Sequence, residues 1–433
     1  MNVSVVSLGC KVNQAEGEDI LAGFRNAGFA IASRGEPGDV TVINTCMVTG
    51  EADRKSRKLI RKVVNKAVVS GGFVVVTGCY AETDEEKLRQ IPGVNLVVKQ
   101  SEKDTLVERV LQLSEYYSSE EASADESRIA GSRLAPTNQS GLTRTICSES
   151  RPATRSRVYL KIQDGCNNRC AYCIVPTARG RSRSVPLAAV VAKAKNLTDA
   201  GIKEIVLTGI NIGKYPNLPG LIDRLLVTPD LARLRLSSIE PEDVTSELIG
   251  LLRAESRERR AAYLCPHLHI PLQSGDDKTL REMGRTYTSE EYAALVKRVR
   301  DACPGIAITT DVIVGLPGET EERFKNTIRF LEEVRPARLH VFKYSKRPGT
   351  QAAARKDQVS EKMKAERSEA VRGLGEKLAA EYRQEFVGRE LDVLAEKASG
   401  NTLTGTSENY LSVSFDGESR DVGRIVRVKL TKE

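Results

Sequence analysis

The chain contains no tryptophan, only four methionines and three histidines in 433 residues, and aromatic side chains make up just 5% of it. With His267, His269 and His340 as the whole histidine supply, imidazole ligands for zinc are scarce. No window approaches the ~18 consecutive apolar residues of a membrane-spanning helix, so no membrane partner is expected. The opening "MNVSVVSLGCK" has neither a basic stretch nor a small-residue cleavage site and reads as a first strand rather than a secretory signal. The expected location is the cytoplasm, where thiols stay reduced. An odd count of nine cysteines also fits poorly with a complete disulfide framework.

What is present is enough apolar residue, 40%, for sizeable cores, and a length that favours two or three domains. The formal charge of +8, from 66 basic and 58 acidic side chains, favours an anionic partner such as RNA. The basic residues cluster in "RKSRKLIRKVVNK", residues 54–66, which holds seven Lys/Arg and no acid. At helical spacing Leu59, Val63 and Lys66 share one face, and Arg54, Lys58, Arg61 and Lys62 fan around the other. This is either a solvated helix face or one that meets phosphates.

Residues 1–114 alternate β-branched runs (3–8, 39–44, 73–78 and 95–99) with amphipathic stretches, the pattern of a small doubly wound parallel sheet. Residues 115–151 are polar and turn-rich and read as a linker. From 152 to 373 the βα pattern returns on a larger scale, with strands expected at 157–163, 204–210, 233–239, 268–273, 307–315 and 337–344. Helices bridge every gap except the last. Six such strands make a partial (β/α) barrel, an α/β architecture whose chemistry sits at the strands' carboxyl ends. Residues 374–433 switch to short alternating runs separated by Gly, Asn and Ser, the mark of a small antiparallel β-barrel of the OB-like sort. From Phe386 onward seven basic and eight acidic residues leave that module about neutral.

The cysteines are not scattered. Cys166, Cys170 and Cys173 form C-x3-C-x2-C within "DGCNNRCAYC". Structural zinc wants four ligands, and there is no second C-x2-C to complete the set. At most one of His267 and His269 is expected to face the site. A [4Fe–4S] cluster held by three thiolates fits better and leaves one iron open. Cys10, Cys46 and Cys79 each follow a strand ("SLGC", "VINTC", "VTGC"). Carboxyl ends of parallel strands share one edge, so these thiols should meet in one crevice and hold a second cluster, unless they are separate buried cysteines. Cys147, Cys265 and Cys303 read as ordinary thiols.

The three-cysteine motif after the first strand of a six-stranded barrel resembles the radical S-adenosylmethionine (SAM) superfamily. Together with "SLGCKVNQAE", "VINTCMVTGEADRKSR", "GCNNRCAYCIVPTARG", "HIPLQSGDDKTLREMGRTYT" and "DVIVGLPGETEERF", it makes the chain similar to the methylthiotransferase family nearly end to end. "GCKVNQ" with "NTCMVT" looks like the branch acting on threonylcarbamoyladenosine in tRNA. The isopentenyladenosine branch typically reads "GCQMN", and the ribosomal-protein S12 branch "GCPKN". Met47 stands where a threonine is usual. The resemblance implies two [4Fe–4S] clusters, SAM as co-substrate, and a TRAM-like RNA-binding module at the C-terminus. It also implies the anticodon stem-loop of tRNA as partner, a reductant protein such as flavodoxin or ferredoxin, and a monomer. One SAM then methylates a sulfur on the N-terminal cluster, and a second yields the radical that activates C2–H of the modified adenine.

By the same resemblance Tyr172 packs near the SAM adenine. Thr208, Gly209 and Asn211 contact its amino group, Ser238, Glu240 and Gln273 bind ribose or carboxylate, and Val314 and Gly315 flank the adenine. Each of these is equally readable as a turn or packing residue. Arg179, Arg181 and Arg183 either approach RNA phosphates or belong to a solvated loop. Two other functions stay open: a methylthiotransferase acting on isopentenyladenosine tRNA or ribosomal protein S12, and a non-catalytic RNA-binding protein stabilised by zinc.

Overall fold

The computed structural model describes residues 1–33, 36–118, 156–253 and 262–432. The linker expected at 115–151 lies outside them from residue 119 onward, and so does Cys147. The described residues form two compact units: 1–118 with 174–181, and 156–173 with 182–432.

The first unit is a parallel sheet of β1 (Asn2–Ser7), β2 (Ala30–Ile31), β3 (Val40–Thr45), β4 (Phe73–Gly78) and β5 (Leu96–Val97) in the order β2-β1-β3-β4-β5. β3 and β4 read VTVINT and FVVVTG and are buried throughout, as strands covered on both faces must be. Val3, Val40, Val42 and Val75 pack with Ile20 and Phe24 of α1 (Lys11–Asn26). Ile43, Val74 and Val76 pack with Ile60, Val63, Val64 and Ala67 of α2 (Gly50–Ser70). The strand order reverses between β1 and β3, and in such sheets the crevice beyond the carboxyl ends at that reversal is where ligands bind. Thr49 caps α2, its side chain accepting from Ala52 N. The packed face of α2 differs from the one expected: it is Ser56, Ile60, Val63, Val64 and Ala67, with Lys66 exposed. All seven basic residues of 54–66 face water. The unit also holds α3 (Cys79–Thr83), α4 (Glu85–Arg89), α5 (Leu106–Ser118) and α6 (Val175–Arg179).

In the second unit β6 (Arg157–Lys161) is followed by a two-residue antiparallel pair, β7 (Gln163–Asp164) with β8 (Arg183–Ser184). β9 (Glu204–Thr208), β10 (Arg233–Leu236) and β11 (Tyr263–Leu264) join β6 in one parallel sheet. β12 (His267–His269), β13 (Ala307–Val314) and β14 (Arg338–Lys343) form the next. A bridge from Ser238 to His269 joins the two sheets, so six main strands run as a partial barrel around one apolar core. The gap before β14 departs from the expectation of no bridging helix. It contains Glu321–Val334, capped by Thr320 and packed through Phe324, Phe330, Leu331 and Val334.

The long helix Glu361–Gln384 spans the boundary expected at 373/374. After it β15 (Glu390–Ser399), β16 (Thr402–Ser407), β17 (Ser412–Asp416) and β18 (Ile425–Lys429) form a curled antiparallel sheet, half of a barrel, in the order β17-β16-β15-β18. Glu204, Arg233 and Arg235, all buried in the barrel, meet this sheet. Glu204 binds Arg233 Nε at 2.5 Å and Arg235 Nε at 2.9 Å. The guanidiniums then donate to the carbonyls of Asp392, Thr406, Ser407 and Glu408.

Candidate functional site

Cys10, Cys46 and Cys79 lie where β1, β3 and β4 end. Cys10 is the N-cap of α1, and Cys79 opens α3 directly from β4. Two of the three turns depend on a left-handed glycine, Gly9 at φ +100° and Gly78 at φ +99°. A Cβ on Gly9 would stand 2.3 Å from the Cys46 Cβ and 2.7 Å from its sulfur, and one on Gly78 would stand 2.3 Å from the Thr45 carbonyl oxygen. The turn that carries Cys10 therefore lies against Cys46, with no room for a larger residue.

Polar side chains hold these turns. Asn13 Nδ2 donates to the carbonyls of Leu8 and Thr45, each at 2.8 Å, and Asn44 Nδ2 donates to Asn13 O at 2.8 Å. Ser56 clamps Cys46: its hydroxyl donates to Cys46 O at 2.7 Å and accepts from Cys46 N at 3.3 Å. Met47 packs in the apolar cluster beside Cys79 and Tyr80, and its thioether sulfur accepts from the Thr83 hydroxyl.

Burial pushes the Cys46 thiol up to about 12, and the neighbouring Cys10 and Cys79 add to the rise. Burial also raises Cys79, against the pull of Arg179. The Gly9 turn against Cys46 and the shared carboxyl edge of β1, β3 and β4 bring the three cysteines to one neighbourhood. The described part of their unit holds no histidine and no fourth cysteine, so the all-cysteine and cysteine–histidine sets usual for structural zinc do not form there. Three converging thiols in tight glycine turns fit a cluster held by three thiolates.

Arg179 belongs to this site and not to a solvated or phosphate-facing loop. It is 3% exposed. Its Nε donates to the Cys79 sulfur at 3.2 Å, its Nη1 to Glu16 Oε1 at 2.9 Å, and its Nη2 to Asn13 Oδ1. Lys103 Nζ reaches Glu16 at 2.7 Å and Asn44 Oδ1 at 3.1 Å. Arg181 and Arg183 are exposed.

In the second unit Gly165, at φ +70°, turns the chain into the C-x3-C-x2-C loop. The Cys166 sulfur accepts from Asn168 N at 3.4 Å. The loop is pinned through Ala171, whose N–H donates to Met283 O at 2.9 Å and whose carbonyl accepts from Ala352 N at 2.8 Å. Burial raises the Cys166 and Cys170 thiols. Arg285 opposes this, and it also binds Glu240 at 2.6 Å and the Tyr172 hydroxyl at 2.6 Å. Sequence reasoning missed Arg285, although it lies inside the motif "HIPLQSGDDKTLREMGRTYT".

The residues expected to contact SAM lie at or just beyond the carboxyl ends of the barrel strands. Gly209 leaves no space for a side chain, since a Cβ there would stand 2.9 Å from Gln163 Oε1. Asn211 N donates to that same Oε1 at 2.8 Å. Thr208 Oγ1 and both amide atoms of Asn211 are buried with no hydrogen-bond partner within the protein. Ser238 lies at the seam of the two sheets, and Glu240 is tied to Tyr172 through Arg285. Gln273, Val314 and Gly315 lie on the second sheet's side of that seam. Gln273 is left-handed at φ +69°, its N–H donating to Asp311 O at 2.8 Å. Val314 is buried, and Gly315 N donates to Glu319 Oε2 at 2.6 Å.

The histidines depart from expectation. Two apart on a strand, His267 and His269 share a face, and both reach Thr309 Oγ1, at 3.0 and 2.9 Å. His269 Nε2 and His340 Nδ1 each lie 3.2 Å from Asp311 Oδ1. Burial pushes the Asp311 carboxyl up, but the two histidines hold it well below the usual carboxylate range. At hydrogen-bond distance two imidazole donors satisfy this carboxylate, and no cation is required.

Comparison with known proteins gives two family matches: the Radical SAM superfamily over residues 160–331, and Uncharacterized protein family UPF0004 over residues 2–99. The chain is 39% identical to the threonylcarbamoyladenosine tRNA methylthiotransferase MtaB of Bacillus subtilis, over 99% of this chain and 94% of that protein. It is 33% identical to the protein of the same name from Thermotoga maritima, over 100% and 95%. It is also 33% identical to the tRNA-2-methylthio-N(6)-dimethylallyladenosine synthase of Erythrobacter litoralis, over 99% and 94%. Among solved structures the radical S-adenosylmethionine methyltransferase TsrM from Kitasatospora setae shares the fold at TM-score 0.53 and 17% identity, covering 81% of this chain and 76% of that one.

Proposed function

The chain belongs to the radical SAM methylthiotransferase family, and on that premise we propose that it attaches a methylthio group to C2 of N6-threonylcarbamoyladenosine beside the anticodon of tRNA. Its cofactors are two [4Fe–4S] clusters, with SAM as co-substrate. When bound, these supply the radical and the sulfur that an aromatic C–H with no usable proton requires.

The protein's own residues do the holding and placing. Cys166, Cys170 and Cys173 hold one cluster, and Cys10, Cys46 and Cys79 the other. The unpartnered polar atoms of Thr208 and Asn211 receive SAM, with Gly209 allowing close backbone approach. Ser238, Glu240 and Gln273 stand at the same strand ends for its ribose and carboxylate, and Val314 and Gly315 for its adenine. Arg285 fixes Tyr172 and Glu240 beside the cysteine loop. The exposed basic face of α2 meets tRNA phosphates. A one-electron carrier of the flavodoxin or ferredoxin kind reduces the clusters, and the protein acts as a monomer in the cytoplasm.

The observation that carries this reading is the pair of cysteine triplets, one at three parallel strand ends and one in the loop after β7, in a chain 39% identical over nearly its whole length to a protein named for this reaction. The substrate branch is tested by mass spectrometry of tRNA nucleosides from cells with and without the protein. Loss of 2-methylthio-threonylcarbamoyladenosine is expected, whereas loss of the isopentenyladenosine product alone would move the protein to the other branch. Purified anaerobically, it should carry about eight irons per chain. Cys10→Ala, Cys46→Ala or Cys79→Ala should leave SAM cleavage running and stop methylthio transfer. Loss of both activities, or of neither, would contradict the division of labour.

A further inference from the structure

We propose that Arg179 is a positioning residue of the N-terminal centre: its guanidinium supplies the positive charge and the N–H that an anionic three-thiolate cluster needs, and thereby sets that centre's reduction potential. This rests on the reading of Cys10, Cys46 and Cys79 as its ligands.

Three charged side chains are buried together beside these cysteines, the side chain of Arg179 being 1% exposed, that of Lys103 9% and that of Glu16 2%. Two are cations and one is a carboxylate that both cations share, at 2.9 Å and 2.7 Å. The set therefore carries one positive charge beyond its own carboxylate. Buried charge is costly without a counter-charge. A cubane core bearing two positive charges and held by three thiolates is anionic, and a further sulfur ligand on the open iron adds to that charge, so the centre supplies the counter-charge that this set calls for. The geometry agrees with the charge. Arg179 Nε points at the Cys79 sulfur, 3.2 Å away, while its other nitrogens are engaged by Glu16 and Asn13. Such fixed partners orient a donor toward a ligand atom. Hydrogen bonds to cluster sulfurs and nearby charge are among the terms that set cluster potential.

The fold holds Arg179 in place. It stands at the end of α6, which has proline in its first turn, and Gly180 at φ +73° ends the helix. Ala178 is packed in the apolar cluster with Ile60, Cys79 and Ala81. Arg179 follows Cys173 by six residues in the chain, so the strand-end loop that begins with one cysteine triplet continues into the segment that serves the other.

The test is redox titration of the holoenzyme, followed by electron paramagnetic resonance, on Arg179→Gln, Arg179→Lys and Glu16→Gln. In Arg179→Gln the oxidised-to-reduced ratio of the N-terminal cluster at fixed poise should rise about tenfold, which for one electron is about 59 mV. Arg179→Lys keeps the charge and should shift less. Glu16→Gln removes negative charge and should shift the ratio the opposite way, which a purely structural role does not predict. The barrel cluster serves as the internal control and should not move. Full iron content with an unchanged N-terminal potential in Arg179→Gln would overturn the proposal. If Arg179→Gln loses half its iron, Arg179→Lys decides: retained iron with a small shift supports the proposal, and equal loss reduces Arg179 to scaffolding and overturns it. Cys79→Ala is measured in parallel. If it keeps about eight irons, the ligand assignment itself fails, a result distinct from any of these.

Discussion

At the scale of single residues, the site depends as much on what stands beside the cysteines as on the thiols themselves. Gly78 precedes Cys79 in a conformation that L side chains rarely adopt, against a backbone carbonyl that cannot yield. Gly78→Ala should cost about 1–3 kcal/mol. It is expected to lower the thermal midpoint and reduce iron content toward that of the barrel cluster alone, with Gly28→Ala, which meets nothing within 4 Å, as the control for left-handed strain without crowding. Glu204 makes a prediction about acid. Burial alone would raise its carboxyl, but Arg235 and Arg233 hold it down at about 2. A depressed folded value means that its contribution is complete above the unfolded value of about 4.3 and is lost as the pH falls toward 2. Glu204→Gln leaves two buried guanidiniums short of a counter-charge and should cost about 3–5 kcal/mol at neutral pH. The gap in thermal midpoint between wild type and variant should close between pH 4 and pH 2, and a constant gap would sink this account.

At the scale of elements, α2 joins two jobs on one helix. Its inner face packs on the sheet and, through Ser56, fixes the backbone of Cys46. Its outer face presents all seven basic residues of 54–66. Replacing Arg54, Lys58, Arg61 and Lys62 with Ala should weaken tRNA binding about equally for all sequences and flatten its salt dependence. Filter binding at several salt concentrations checks this, with an unaltered salt slope as the contrary result. The helix is legible in the sequence, but its buried face is not. Leu59, Val63 and Lys66 were grouped by spacing, whereas the face that packs is centred on Ile60 and Val64, because the sheet decides which apolar residues it covers. The helix Glu321–Val334 was overlooked despite a capping threonine and apolar residues at helical spacing.

At the scale of the second unit, the C-terminal half-barrel is docked on the barrel and not merely appended to it. Arg233 and Arg235 donate to four of its carbonyls, Tyr410 stacks on His267 at 4.0 Å, and Tyr382 of the long helix donates to Gly305 O at 2.8 Å. Hydrogen bonds from charged donors are worth about 1.5–3 kcal/mol each. Removing residues 389–433 is therefore expected to lower the thermal midpoint of the remaining core and open it to proteolysis near β10. A truncated core as stable as the intact chain would show that the docking contributes nothing.

The sequence by itself determined the alternation of strand and helix and the family, and it singled out six cysteines as the ligands to propose. Thiol chemistry restricts which residues can hold an iron–sulfur cluster, and apolar periodicity restricts which segments can be strands. What only the tertiary structure decided is the company those cysteines keep. Arg179, Glu16, Lys103, Asn13 and Asn44 come from four separate parts of the chain, and a charged side chain reads as solvent-facing until packing encloses it. Burial and pairing across long separations in sequence have no local signature, so the electrostatics of the site emerge only when the chain is folded.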